Sequence, residues 1–556
     1  MRIQWKTSPR GDYREIEIEK GTSVEELYRN MTTEQSYTVL AARIQNRLEE
    51  LTYTIEEPCK VELLDMRTQD ANLIYQYSLT LLYIKAVTDC LGPVRVEVQN
   101  SLNKGLYTEI KTKEKESLTE LQIQQIEDRM KELVTLDLPF VKETVSREEA
   151  IKILREEGLE EKCRLIEGAA DVKTVDFYTL DGCRNSFFSA MVPSTGYLKH
   201  FELKKYRRGV LLRFPHPSNP NEIPPYTDEV KLYQAFSEQT RWDQLLGVNY
   251  VADLNEKIAS GAYKELIQLS EALHEKKISD IADQIKQEHK RIILIAGPSS
   301  SGKTTFAQRL CIQLKVNGLD PLYMGTDDYF VEREDTPMDQ HGEPDYENLG
   351  AVDIDLFNQN MNDLLDGKEV DLPTFDFLTG HKVFGKRVTK INGRQPIVIE
   401  GIHGLNEELT AQIPKEEKFK IYISPLTQLN IDGHNRIPTT EERMLRRMVR
   451  DYRYRGKAAQ TTIDEWPKVR AGEDANIFPY NGEADVFFNS YHVYEIAVLK
   501  KYAEPLLQAV SEEEASYMTA QRILAFLQFF RTIEDDHIIV NNSILREFIG
   551  GSIFVE

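Results

Sequence analysis

Residues 297–304 read Gly-Pro-Ser-Ser-Ser-Gly-Lys-Thr, the spacing G-x-x-x-x-G-K-[ST]. Two glycines around four residues let the backbone curl until its N–H groups face an anion. The lysine and hydroxyl that follow bring a positive charge and a cation ligand to the same point. The pattern constrains the fold as much as the chemistry, because such a loop has to join a strand to a helix. Before it, Ile292, Ile293, Leu294 and Ile295 form an unbroken apolar run, as in a parallel strand buried on both faces. After it, Phe306, Leu310 and Leu314 recur every four residues until Gly318, which predicts a helix with one buried stripe and a glycine stop. Gly297, Pro298, Ser299, Ser300, Ser301, Gly302, Lys303, Thr304 and Thr305 are the candidate contacts to nucleotide phosphates.

Further apolar runs extend the same sheet. "PLYMG" ends at Asp327 and Asp328, at the carboxyl edge where open α/β sheets bind ligands. A carboxylate there can take the proton of an attacking hydroxyl, or it can simply hold a turn. "QPIVIEGIHGLN" places Glu400 where Ile397, Val398 and Ile399 stop, a position suited to orienting magnesium or to shaping the turn. Residues 439–457 are dense in arginine. Arg443, Arg447 and Arg450 share one helical face, which can close over phosphates or lie in solvent paired with acids such as Glu441 and Asp451.

At 556 residues the chain exceeds one hydrophobic core. Its 41% hydrophobic and 29% charged composition fits several packed domains rather than extensive disorder. A net charge of -22 disfavours attraction to a polyanion. The exception is a basic run, "KHFELKKYRRGVLLR" at 199–213, which reads either as a local basic face or as a solvated strand and turn. Five cysteines without any CxxC pair suggest reduced core thiols. No apolar run approaches the ~20 residues that span a bilayer, so a cytoplasmic location is the expectation.

Taken together and in this order, the segments from 291 to about 510 resemble the uridine kinase and phosphoribulokinase branch of P-loop kinases, and uridine kinase more closely. The resemblance implies ATP and Mg²⁺, with Lys303 on the β and γ phosphates and Thr304 with Glu400 at the metal. It puts Asp327 in the base position ahead of Asp328. Glu347 in "DYENLG" falls where an aspartate commonly holds the ribose. Phe375, Asp376, Phe377 and His381 fall where Tyr-Asp-Phe and a histidine line the base. Phe375 keeps a stacking face and loses a hydroxyl. Arg447, Arg450 and Arg455 match the phosphate-contacting positions of the lid, and Lys457 replaces a further arginine.

The first half resembles something else. Residues 1–65, with "EIEIEKGTSVEEL", look like a β-grasp TGS domain. Residues 66–245, with "DLPFVKETVSREEA" and "MVPSTGYLKHFEL", look like the editing region of threonyl-tRNA synthetase. That region uses an H-x-x-x-H pair and a C-x-x-x-H pair. Here the first positions are Tyr77 and Leu81 and the second are Phe187 and Met191, none of which can take the ligand or proton-transfer role, while Cys183 falls four residues early. A silent binding or packing module is expected. Contact with RNA, sensing of a small ligand, and packing against the kinase to form a homo-oligomer stay open as its roles.

Residues 246–290 read as a helical connector with Leu266, Leu269, Leu273, Ile278, Ile281 and Ile285 as its buried stripe and Gly261 interrupting its start. Such a rigid connector would offer a route for coupling the halves. Residues 511–556 read as a structured helical tail. The expectation is therefore a multidomain α/β and α+β protein. Its 291–510 domain would phosphorylate the 5′-hydroxyl of uridine or cytidine, and the rival is a nucleotide-controlled switch that binds RNA and has no small acceptor.

Overall fold

The computed structural model describes residues 1–9, 11–31, 37–112, 117–339 and 342–555. Strands Leu322–Gly325, Ile397–Glu400, Ile292–Ala296, Lys418–Ser424 and Val486–Asn489 lie side by side in that order, each neighbouring pair parallel. Side chains alternate along the central strand. Ile293 and Ile295 pack with Phe306, Leu310 and Leu314 of the helix Lys303–Val316, and Ile292 and Leu294 pack with Phe357, Met361 and Leu364 of the helix Ile354–Leu365. Helices therefore cover both faces, which is why the strand can be apolar at every position. The phosphate loop leaves the central strand at its carboxyl edge. In register beside it stands Glu400, opposite both Ile295 and Gly325.

Two further units precede this domain. In the first, strands Arg14–Glu17, Arg2–Lys6, Lys60–Asp65, Val39–Ile44 and Arg47–Glu50 form one sheet with the helix Val24–Met31, around Ile3, Trp5, Val39 and Leu63. In the second, the long helix Gln69–Leu91 starts where Thr68 accepts from the Ala71 amide, and it is buried along most of its length. It packs with the helix Glu120–Thr135, a four-stranded antiparallel sheet and a three-stranded one.

The sequence reading needs several corrections. Before the connector a helix runs from Val230 to Leu246, and its Ala235 and Phe236 pack on Tyr422 and Phe487 of the kinase sheet. Gly261, at φ +80°, separates the helix Val251–Ser260 from Tyr263–Gln287. Leu269 is 41% exposed, and Leu273 is only partly covered. Four-residue steps carry the buried stripe through Leu266, Ser270, His274 and Ile278 instead, so its middle is polar. The tail is not a helical appendage. It has the helix Tyr517–Leu527 and one turn at Arg546–Ile549, and it buries Ile544, Leu545 and Phe548 completely. Of the cysteines, Cys163 and Cys311 are buried and Cys90 is exposed.

The arginines of the basic run are paired. Arg207 pairs with Asp228, Arg208 with Glu109, and Arg213 is buried against Glu202. Among the described residues no helix is long and apolar enough to cross a membrane.

Candidate functional site

The phosphate loop is shaped by its own backbone and by two helices that follow much later in the chain. Ser300 and Gly302 take positive φ, +60° and +82°. Lys303 turns its ammonium onto the loop carbonyls of Gly297 at 2.9 Å and Pro298 at 3.2 Å, and burial lowers its pKa. Thr304 Oγ1 donates to Glu400 Oε1 at 3.1 Å. The other Glu400 oxygen is buried without a partner, as are the hydroxyls of Ser300 and Ser301. Burial also raises the Glu400 pKa. A buried carboxylate oxygen with an adjacent hydroxyl is the donor set a hard divalent cation takes, so Thr304 and Glu400 fit Mg²⁺.

The helix Thr439–Arg455 braces the loop with arginines, and Arg446, outside the face shared by Arg443, Arg447 and Arg450, is among them. Arg443 is 1% exposed and donates from Nε to Ser299 O at 3.0 Å. Arg446 is wholly buried, forks onto Glu495 at 2.7 and 2.6 Å, and reaches Ser300 O at 3.3 Å. Arg447 donates to Ser299 Oγ at 2.9 Å. Arg447, Arg450 and Arg455 all approach the buried Asp451, at 3.4, 2.8 and 3.3 Å. Arg447 also meets Glu465, at 3.4 Å. Lys457 is held by Glu465 at 2.7 Å. The sequence reading passed over Glu473. Its Oε1 accepts from the Ser299 amide at 2.9 Å and pairs with Arg443, while Arg470 pairs with its Oε2 at 3.1 Å. The available signal was the i, i+3 spacing of Arg470 and Glu473 on one helical face.

On the acidic side, Asp328 is engaged by Arg387 at 2.6 Å, whereas Asp327 makes no ion pair among the described residues. Asp327 opens onto the cleft within electrostatic reach of Lys303, and the surrounding protein raises its pKa by displacing water. Glu347 lies against Gly472, where a β-carbon would collide with its carboxyl. Burial, then the neighbouring charges of Glu473 and Asp345, push the Glu347 carboxyl up to about 7. Phe375 does not face a ligand alone. It is 5% exposed inside a ring cluster with Phe330, Tyr346 and Phe377, of which Phe377 is the exposed member at 59%. His381 is exposed and bonded to Glu332 at 2.6 Å, at the turn end of the hairpin Val370–Asp376 and His381–Thr389. The structure thus brings Lys303, Thr304, Glu400, Asp327, Glu347 and Arg447 around one cleft, and sets His381 on a hairpin at its rim.

The region read as a silent editing pocket is filled. Leu81, Phe187 and Met191 are buried, and Tyr77 meets Phe187 edge-on at 5.9 Å. What completes the packing is a kinase-domain segment, residues 430–435. His434 lies 6.3 Å from the Phe187 ring, bonds Asn185 at 3.1 Å and reaches Val96 O at 3.1 Å. The wholly buried Asp432 stands 3.4 Å from Lys162, whose ammonium also donates to Asn185 and Ser186 at 2.8 and 2.6 Å. Asn430 donates to Val98 O and Gln99 O. Burial raises the Cys183 thiol to about 11. Among the described residues no group of three or more His, Cys, Asp or Glu is arranged to hold a metal ion.

Comparison with known proteins finds different relatives for the two halves of the chain. The Phosphoribulokinase / Uridine kinase family model matches residues 292–497. A uridine kinase of Ligilactobacillus salivarius is 28% identical over 181 residues, 32% of this chain and 76% of that protein. The N-terminal half matches threonine–tRNA ligases. That of Marinobacter nauticus is 32% identical over 170 residues, 30% of this chain, and the chain spans only 26% of the ligase's length. The solved structure of a possible uridine kinase from Bacillus stearothermophilus overlays 38% of this chain and 99% of its own, at 19% identity and a TM-score of 0.25. Residues 292–497 match the phosphoribulokinase and uridine kinase family as a P-loop kinase domain, and the N-terminal half is similar to threonine–tRNA ligases.

Proposed function

We propose that the chain transfers the γ-phosphoryl group of ATP to the 5′-hydroxyl of a nucleoside, uridine or cytidine. The observation that carries this reading is the placement of Asp327. It lies in the turn that follows the strand Leu322–Gly325, whose last residue pairs with Glu400, free of the ion pair that occupies Asp328 and in electrostatic reach of Lys303. A phosphate loop alone serves any nucleotide switch. A carboxylate held ready at its mouth is what an alcohol acceptor requires.

Each residue then has a task. The loop amides and Lys303 hold the donor phosphates, and Lys303 exchanges its own loop carbonyls for them. Thr304 and Glu400 hold Mg²⁺, which when bound neutralises phosphate charge. Asp327 orients the acceptor hydroxyl and accepts its proton. Glu347 binds the ribose hydroxyls, and the Phe330, Phe375 and Phe377 cluster with His381 frames the base. Arg447, Arg450 and Arg455 leave Asp451 to meet the transferring group, where fixed cations stabilise spreading negative charge. The N-terminal half supports the kinase by taking its 430–435 segment into the closed pocket.

The test is release of ADP by the full chain with magnesium and ATP across a panel of nucleosides and sugars, beside Asp327→Asn. Turnover stimulated by uridine or cytidine and lost in the variant, with nucleotide binding kept, supports the reading. A rate that no acceptor raises above bare hydrolysis replaces it with a nucleotide-controlled switch.

A further inference from the structure

The C-terminal segment lies on the phosphate loop. Glu547 is 8% exposed, and its Oε2 accepts from the Thr305 hydroxyl at 2.8 Å and the Thr305 amide at 3.3 Å. Thr305 is the third residue of the helix Lys303–Val316, so its N–H is among those without an intrahelical partner. In a loop of this kind such amides at the helix start are the groups that receive phosphate oxygens. Ile544 covers Gly302 so closely that a β-carbon there would collide with it. Phe548 lies against the buried Arg446, with the guanidinium 5.0 Å from its ring centre. Residues 544–548 thus cover the start of the helix with a carboxylate, where a nucleotide would bring its own anion.

Two anions cannot share one amide and one hydroxyl. The Glu547 carboxylate already bears on Lys303 and Glu400, and a polyphosphate beside it would add like charge at hydrogen-bond distance in a poorly solvated place. The segment is held together as one piece. Arg546 ties it together through the carbonyls of Asp536, Ile539 and Gly550, at 2.7, 2.9 and 3.3 Å. Gly550 and Gly551, at φ +89° and +78°, follow directly after the turn.

Resting on the nucleotide-binding reading above, we propose that residues 543–549 are a tethered competitor of the nucleotide. The Glu547 carboxylate holds the phosphate position at Thr305 until ATP displaces it. The closed tail then lowers the apparent affinity for nucleotide by the fraction of molecules in which it is open.

The experiment uses the full chain and magnesium with ADP as the probe. Hydrogen exchange of the unaltered protein is followed across 543–549, and ADP affinity is measured by calorimetry for it and for Glu547→Gln. The proposal expects faster exchange of this segment when ADP is bound, and ADP binding about threefold or more tighter in the variant. Slower or unchanged exchange with ADP bound, or equal or weaker binding by a folded variant, overturns it and makes Glu547 a helix cap. If the variant fails to fold, the exchange of the unaltered chain decides alone. If neither protein binds ADP, the nucleotide reading falls, and this inference with it.

Discussion

Glu473 Oε1 stands 2.9 Å from the backbone nitrogen of Ser299 and pairs with Arg443, whose Nε returns to the Ser299 carbonyl at 3.0 Å. One residue of the phosphate loop is thereby held at both its donor and its acceptor by a buried ion pair from two helices that come about 150 residues later in the chain. The loop's curvature is not its own property alone.

Glu473→Gln keeps the shape and removes the charge, leaving Arg443 buried without its counter-ion. Loss of one partner of such a pair costs about 3–5 kcal/mol. The expected outcome is a lower midpoint in chemical denaturation, with nucleotide affinity reduced in whatever fraction remains folded. An unchanged midpoint would show that the clamp adds nothing to the loop.

Asp327→Asn is expected to lower acceptor-dependent turnover about 10²- to 10⁴-fold, the range for losing a positioned base. Asp328→Asn is expected to act differently, loosening the Arg387 contact and the hairpin behind it with a smaller effect on rate. Steady-state kinetics of both variants separate the two carboxylates. Equal losses would contradict the assignment.

Glu347 should make stability depend on pH. Its carboxyl is raised in the fold to about 7 from an ordinary 4.5, so the folded chain binds the proton more tightly than the unfolded chain. The cost of ionising it is absent below about 4.5 and grows as pH rises through about 7. Glu347→Gln is expected to be neutral at pH 4 and stabilising at pH 8, on the order of 1 kcal/mol once partial solvent access is allowed for. Urea denaturation at the two pH values measures the difference, and a variant equally stable relative to the parent at both excludes it.

Lys162→Met removes the cation from a site where Asp432 has no access to water. About 3 kcal/mol of destabilisation is expected, because Asp432 keeps its bonds from the His434 and Asn435 amides and loses only the charge. Adding Asp432→Asn should recover part of the loss. Limited proteolysis at the junction between the halves is the readout, and a double variant no better than the single would dismiss the pair as the anchor.

Asp451→Asn frees Arg447, Arg450 and Arg455 from their shared carboxylate. The expectation is a lower KM for ATP together with a lower melting temperature, since three like charges then repel one another near the loop. No change in KM would mean that these arginines never reach the donor.

Much of the kinase domain was legible because its signals are local. The G-x-x-x-x-G-K-T loop, the apolar strand before it, the four-residue stripe after it and the acids that end two further strands all lie within a few residues of what they specify. Period and spacing read such features without knowledge of the rest of the chain. The apolar and aromatic character of Tyr77, Leu81, Phe187 and Met191 was legible in the same way, residue by residue. Tertiary structure decided what occupies these places. Nothing near Phe187 announces that His434 will stand beside it, 247 residues later, and nothing in "ILREF" announces that Glu547 will bond Thr305, 242 residues earlier. Nor did the helical rhythm reveal that Arg443 and Arg446 are interior. Arginine on a helix is ordinarily solvated, and these are buried only because Glu473 and Glu495 arrive from other helices to balance them. Local chemistry is written in neighbouring residues, whereas a counter-ion or a plug is supplied by long-range packing, which leaves no short-range pattern to read.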